Sequence, residues 1–162
     1  MAMSLCIIVF LTGVLTSGPA ASPDDPRLLQ GAWRVEREVD TRDGVVVSAG
    51  PKDGYGGLII YTSDGYMSAT LMPRGRHWTV DGASLTQFKE TVETGTAYFG
   101  RYEVDPRAHT VTHIVEASMD PSDEGKRLVR TYSLHGDTLE LSGTWSYEGH
   151  PMGFTVTFAR VK

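Results

Sequence analysis

Four side chains in the second half of the chain could move a proton or steady an oxyanion: Tyr98, His113, Glu116 and Arg130. A turn at Asp105-Pro106 sets Tyr98 opposite Glu116 on paired strands, and a longer turn over 119–126 brings Arg130 beside Glu116. In that row Glu116 would act as base, Tyr98 as proton donor and Arg130 as support for developing negative charge. A cross-strand ion pair, or an internal polar network that touches no ligand, accounts for the same residues. The facing of one strand decides between them. Along 110–118, Thr112, Ile114, Glu116 and Ser118 alternate with Val111, His113, Val115 and Ala117, and neither set is cleanly apolar. If the second set points inward, His113 becomes the interior's titratable group and Glu116 lies outside.

Other chemistries find less support. His109 and His113 are four residues apart, which on a strand separates them by about 13 Å, too far to share one zinc through bonds of roughly 2 Å. No metal is expected. There is no Gly-x-Ser-x-Gly elbow, and Asp53 to Gly57 (DGYGG) precedes a strand instead of the helix N-terminus that would hold a phosphate. No cofactor is expected. The net charge is −5 and the densest cationic group is Lys126-Arg127 with Arg130, so a nucleic-acid partner, which needs an electropositive footprint, is not expected either.

The elements that must position these groups are strands. Turn signals recur at Asp43-Gly44, Pro51 to Gly57, Asp64-Gly65, Asp105-Pro106, Asp120 to Gly125, Gly136-Asp137 and Gly149 to Gly153. Between them lie about eight short runs rich in Val, Ile, Thr, Tyr and Phe, the spacing of a sandwich or an up-and-down barrel. One segment differs: Ser84 with Gln87 forms a capping box, and Leu85, Phe88 and Val92 recur at helical spacing, which predicts a short helix over 84–94. In the first strand Trp33, Val35, Arg37 and Val39 share a face, with Arg34, Glu36 and Glu38 on the solvated one. Pairing Tyr61 with Tyr66 puts Ile60 opposite Met67 and Leu58 opposite Ala69, so that Leu58, Ile60, Met67, Ala69 and Leu71 make an apolar inner wall. The loop from Met72 to Trp78 (MPRGRHW) reads as a lid, with Arg74, Arg76 and Trp78 meeting a ligand, or as an ordinary solvated connection.

Before the domain, Leu5 to Leu15 is an apolar run too short to span a bilayer. Gly18 and Ala20 fit the −3 and −1 sites of a signal-peptide cut, so 1–20 reads as a secretory leader, 21–27 as a polar linker and 28–162 as the domain. The protein is therefore expected to be exported, without stable membrane insertion once the leader is removed; the absence of Lys or Arg before the apolar run leaves the alternative of a misassigned start codon and a cytoplasmic protein. Cys6, the one cysteine, would leave with the leader, which removes thiol and disulfide chemistry.

Gly31-Ala32-Trp33 opening the first long strand resembles the Gly-x-Trp signature of lipocalins, whose Trp plugs the barrel's closed end under an Arg from the last strand; Arg160 stands where that Arg would have to be. Four further stretches, in order, resemble the lipocalin-like domain family of compact bacterial and fungal barrels: Leu29 to Arg34 (LQGAWR), Gly57 to Ala69 (GLIIYTSDGYMSA), Tyr98 to Asp105 (YFGRYEVD) and Thr110 to Ser118 (TVTHIVEAS). The resemblance covers about residues 28–161. It implies one antiparallel β-barrel of about eight strands with one short helix, and members that occur beside small-molecule biosynthesis genes. It supplies no agreed activity and no catalytic set.

Three functions are compatible with this. The first is reversible binding of a small, largely apolar molecule in the lumen. The second is a cofactor-free isomerase or cyclase acting on a secondary-metabolite intermediate, with Tyr98, Glu116, His113 or Arg130 moving the proton. The third is an interaction module whose lumen is packed shut.

Overall fold

A computed structural model describes residues 26–50 and 54–162. They form β1 (Gly31–Arg42), β2 (Val45–Gly50), β3 (Tyr55–Tyr61), β4 (Tyr66–Pro73), α1 (Leu85–Thr94), β5 (Thr96–Asp105), β6 (Thr110–Ser118), β7 (Arg127–His135), β8 (Thr138–Tyr147) and β9 (His150–Arg160). Neighbouring strands pair antiparallel in the order β2-β1-β3-β4-β5-β6-β7-β8-β9, and β1 also pairs with β9. The sheet thus closes: β1 and β3 to β9 make the eight-stranded barrel expected from the turn spacing, and β2 adds a ninth strand along the outer half of β1. The leader expected over 1–20 lies outside the described residues. Of the linker expected over 21–27, Pro26 and Arg27 already belong to a 3-10 turn, Pro26–Leu29.

The helix forms as its capping box dictates. Ser84 Oγ accepts from Gln87 N while Gln87 Oε1 accepts from Ser84 N at 2.8 Å, which satisfies two otherwise orphaned donors. Its apolar residues Leu85, Phe88 and Val92 stay exposed. Trp78, at the end of the preceding loop, packs edge-on against Phe88 with ring centres 5.9 Å apart.

Two bulges and one turn set which side chains face inward. In β1 the pairing with β9 slips between Val35 and Arg37. Trp33 and Val35 are buried, but beyond the slip Glu38 and Asp40 face the interior, opposite Val156 and Phe154. The alternation read from the sequence, with Arg37 and Val39 inward and Glu38 solvated, therefore holds only as far as Val35; one extra residue inverts the face of everything that follows. In β6 the extra residue is Glu116: Phe99 pairs with Ala117 and Gly100 with Val115. Gly100 is required there, since a Cβ would lie 2.0 Å from the Ile114 carbonyl oxygen and 2.9 Å from Glu116 N.

The β3–β4 turn has an odd loop, Ser63 to Gly65, with Gly65 at φ 89° and Thr62 N donating to Tyr66 O at 2.9 Å. Tyr61 consequently pairs with Met67 and Ile59 with Ala69. The expected register is off by one residue, so Ile59 and Tyr61 point inward. Leu58 and Ile60 belong to the outer face, Ile60 with 37% of its surface exposed.

One end of the barrel is sealed as the Gly-x-Trp pattern implied. Trp33 is fully buried, and its Nε1 donates to Leu29 O at 2.7 Å. The Arg160 guanidinium lies 4.0 Å above the indole ring and donates to Gln30 O at 2.9 Å and Leu28 O at 2.7 Å. Every strong group at this base has a partner.

Candidate functional site

Above the sealed base the barrel opens into a cavity of about 460 Å³. Ile59, Ala69, Leu71, Leu141, Val156 and Phe158 supply apolar wall. Val47 of β2, Glu93 and Thr94 at the end of α1, and Trp145 and Met152 of the β8–β9 hairpin line its outer part. Into this space project His113, Tyr98, Arg130, Tyr55, Glu38 and Asp40.

His113 holds the centre of a buried chain. Strand β6 places it inward between Val111 and Val115, where it is 1% exposed. Tyr61 Oη lies 2.8 Å from Nε2 and Tyr98 Oη 2.8 Å from Nδ1. The Arg130 charge reaches Tyr98 and opposes the rise that burial gives its phenol. A neutral imidazole donates at one nitrogen and accepts at the other, so one of the two tyrosines gives its proton to the ring and the other accepts the ring's own. Burial first, and the Arg130 charge second, push the His113 pKa down to about 3, which keeps the imidazole neutral. Burial raises both phenols, well above the usual range for Tyr61, while Arg130 pulls Tyr98 partly back. None of these three groups titrates near neutral pH.

The titratable group is on the opposite side. Glu38 is raised to about 7, by burial first and by Asp40 second. Its Oε2 is buried and has no hydrogen-bond partner among the described residues. Burial also raises Asp40, and Tyr55 is raised by burial and then by both carboxylates. A carboxyl that exchanges its proton near pH 7 in a ligand-sized space can serve as acid or base, a role that sequence spacing assigned elsewhere.

Of the residues proposed from sequence, the structure brings Tyr98, His113 and Arg130 together and leaves Glu116 out. Glu116 is exposed on the outer surface and pairs with Arg101 at 3.7 Å. Tyr98 pairs with Ser118, and Arg130 lies opposite Val111, five residues along β6 from its expected neighbour. Ala69 and Leu71 line the cavity, while Met67 is buried in the core beside it. Leu58, Ile60 and Trp78 are not among the lining residues. Sequence reasoning missed Glu38, Asp40 and Tyr55. The one signal available was length, because a twelve-residue first strand must bend to follow a small barrel.

The family model for the lipocalin-like domain matches residues 30–161, nearly the whole of the described barrel. The chain belongs to the lipocalin-like domain family. No curated protein matches it significantly. A lipocalin-like domain suggests ligand binding in general, and the cavity of this one is of ligand size. Among the described residues, no helix of this lipocalin-like domain is long and apolar enough to cross a membrane.

Proposed function

We propose that this lipocalin-like barrel reversibly binds a small, largely apolar molecule carrying a polar group. The observation that supports it is the cavity itself. About 460 Å³ falls within the size of small-molecule sites, and its walls are aliphatic and aromatic with a few convergent polar groups. Apolar burial would supply affinity, and Tyr98, Arg130 and Glu38 would set orientation. The apolar run at 5–15 and the small residues after it favour an exported protein that meets its ligand outside the cytoplasm.

Mass spectrometry of the purified protein, native against denatured, tests the reading. A co-purifying small molecule, released on denaturation, is the expected result. An empty spectrum that persists after soaking in a lipophilic extract of the host would overturn it.

A second reading, acid–base turnover of the bound molecule, is favoured by one observation: Glu38 holds an unpartnered carboxylate oxygen in the cavity at a pKa of about 7. In that case Glu38 takes the role the sequence gave to Glu116, and Tyr98 and Arg130 face developing negative charge. Incubating any co-purified molecule and its precursors with wild type and Glu38→Gln separates the readings. Turnover lost in the variant supports catalysis; unchanged compound with wild type removes it.

A further inference from the structure

The barrel wall is not hydrogen-bonded all the way round. Strand β7 pairs with β8 only from Thr131 with Ser142 to His135 with Thr138. The first half of β7, Arg127 to Arg130, pairs with β6 alone, and the second half of β8, Gly143 to Tyr147, pairs with β9 alone. The two strands part at Arg130 and Gly143. Outside this parting runs a groove of about 670 Å³, lined by hydroxyls of Thr131, Ser142, Thr144 and Thr155. Arg130 and Phe154 line both the groove and the inner cavity.

The parting is kept open by a missing side chain. A Cβ on Gly143 would stand 2.9 Å from Arg130 Nη1 and 2.8 Å from the Phe154 ring. The Arg130 guanidinium fills that space, 4.9 Å from the Phe154 ring centre. It makes a long bond of 3.4 Å to the Val129 carbonyl. No carboxylate among the described residues pairs with it, in contrast to Arg127, whose guanidinium is held by Glu103 at 2.6 Å. A half-buried cation stacked on a ring and bonded to neutral groups has unused donors and uncompensated charge.

We propose that the slot between β7 and β8 is an anion subsite, in which Arg130 holds the carboxylate or similar anionic head of an elongated amphiphile whose apolar body lies in the lumen. The inference rests on the lumen-binding reading and adds the ligand's chemical class and orientation. Charge elsewhere in the cavity supports that orientation. Glu38, Asp40 and Glu93 also line the cavity, so an anionic head is repelled there and attracted to Arg130. The groove's hydroxyls offer further donors to the head without closing it off from water.

Calorimetric titration with dodecanoate and with dodecanol, which share an apolar chain and differ in the head, tests the proposal on the whole protein. Replacing Arg130 by Met is expected to weaken dodecanoate about tenfold or more, the value of a charge-assisted contact, and to leave dodecanol unchanged. Arg130→Lys should keep part of the affinity. Gly143→Val, which fills the slot while keeping the charge, should also weaken dodecanoate selectively, and serves if the Met variant does not fold. The dodecanoate preference should shrink as salt is raised. Equal losses for both compounds, or no loss for either, would overturn the subsite and leave the lumen reading standing. If neither compound binds wild type, lumen binding itself falls and the subsite with it.

Discussion

The two halves of this barrel use the same strands for opposite ends. At the base, Trp33 is fully buried and the Arg160 guanidinium places two bonds on the carbonyls of Leu28 and Gln30 while covering the indole face. In the cavity half, Arg130 lacks a carboxylate partner among the described residues, and Glu38 Oε2 lacks any. A satisfied guanidinium over a ring holds a fold together; an unsatisfied one beside an empty space is available to something else. The contrast separates residues kept for stability from residues kept at a cost to it.

Trp33→Ala should give the largest effect on stability, a loss of about 3–5 kcal/mol for a large ring removed from a packed end. Urea unfolding measures it, and a loss below about 1 kcal/mol would mean that the base is not the anchor. His113→Leu comes next, at about 2–3 kcal/mol, because Tyr61 and Tyr98 lose their shared partner. It also changes the acid limb. His113 has a folded pKa of about 3 against 6.5 unfolded, so the unfolded chain takes up a proton that the folded one refuses. Its contribution is fully present above pH 6.5 and declines toward pH 3 by up to about 1.4 kcal/mol per unit. The Leu variant should lack that slope.

Glu38→Gln should act in the other direction. Its folded pKa of about 7 exceeds the ordinary carboxyl value of 4.5, so the folded state binds the proton more tightly and wild type loses stability as pH rises between those values. For a half-buried group the effect is about 1–2 kcal/mol, after allowing for solvent screening. The variant should match wild type near pH 4 and exceed it near pH 8. Parallel stability curves for the two proteins would show that Glu38 is not held in a strained, unpartnered state. Glu116→Gln should be the smallest change, within about 0.5 kcal/mol for an exposed pair, with no effect on ligand titration. A ligand-binding defect in that variant would restore Glu116 to the site and erase the distinction between inner and outer faces of β6.

What could be read from the sequence follows the same division. The sealed end was legible because its parts are chemically distinctive: Gly31 and Trp33 at the start of one strand, and a cation at the end of the last. The helix was legible because a capping box is local and depends on residues three apart. The barrel was legible because turns announce themselves through Gly, Asp and Pro. The cavity was not, because facing is a parity, and parity accumulates errors. An odd loop at Gly65 moved Leu58 and Ile60 outward, a slip after Val35 brought Glu38 inward, and β6 turned Val111, His113 and Val115 inward, which leaves Glu116 outside. In Arg34 to Asp40 (RVEREVD) the three acids and Arg34 fall on one alternating set and Val35, Arg37 and Val39 on the other, so composition favoured the opposite facing and could not reveal the slip. His113 survived because the sequence left both facings of its strand open.

That slip gives the lumen a charge determined by phase. Arg37 and Val39 are a single position away from the places held by Glu38 and Asp40. Deleting Glu36, the extra residue, would remove the bulge and leave Glu38 opposite Val156, whereas a first strand that kept its length but lost the bulge would carry Arg37 and Val39 inward, turning an acidic wall into a basic one without substituting a single amino acid. Among barrels of this kind, whether the first strand carries this bulge can therefore set ligand polarity in a way that percentage identity would not register.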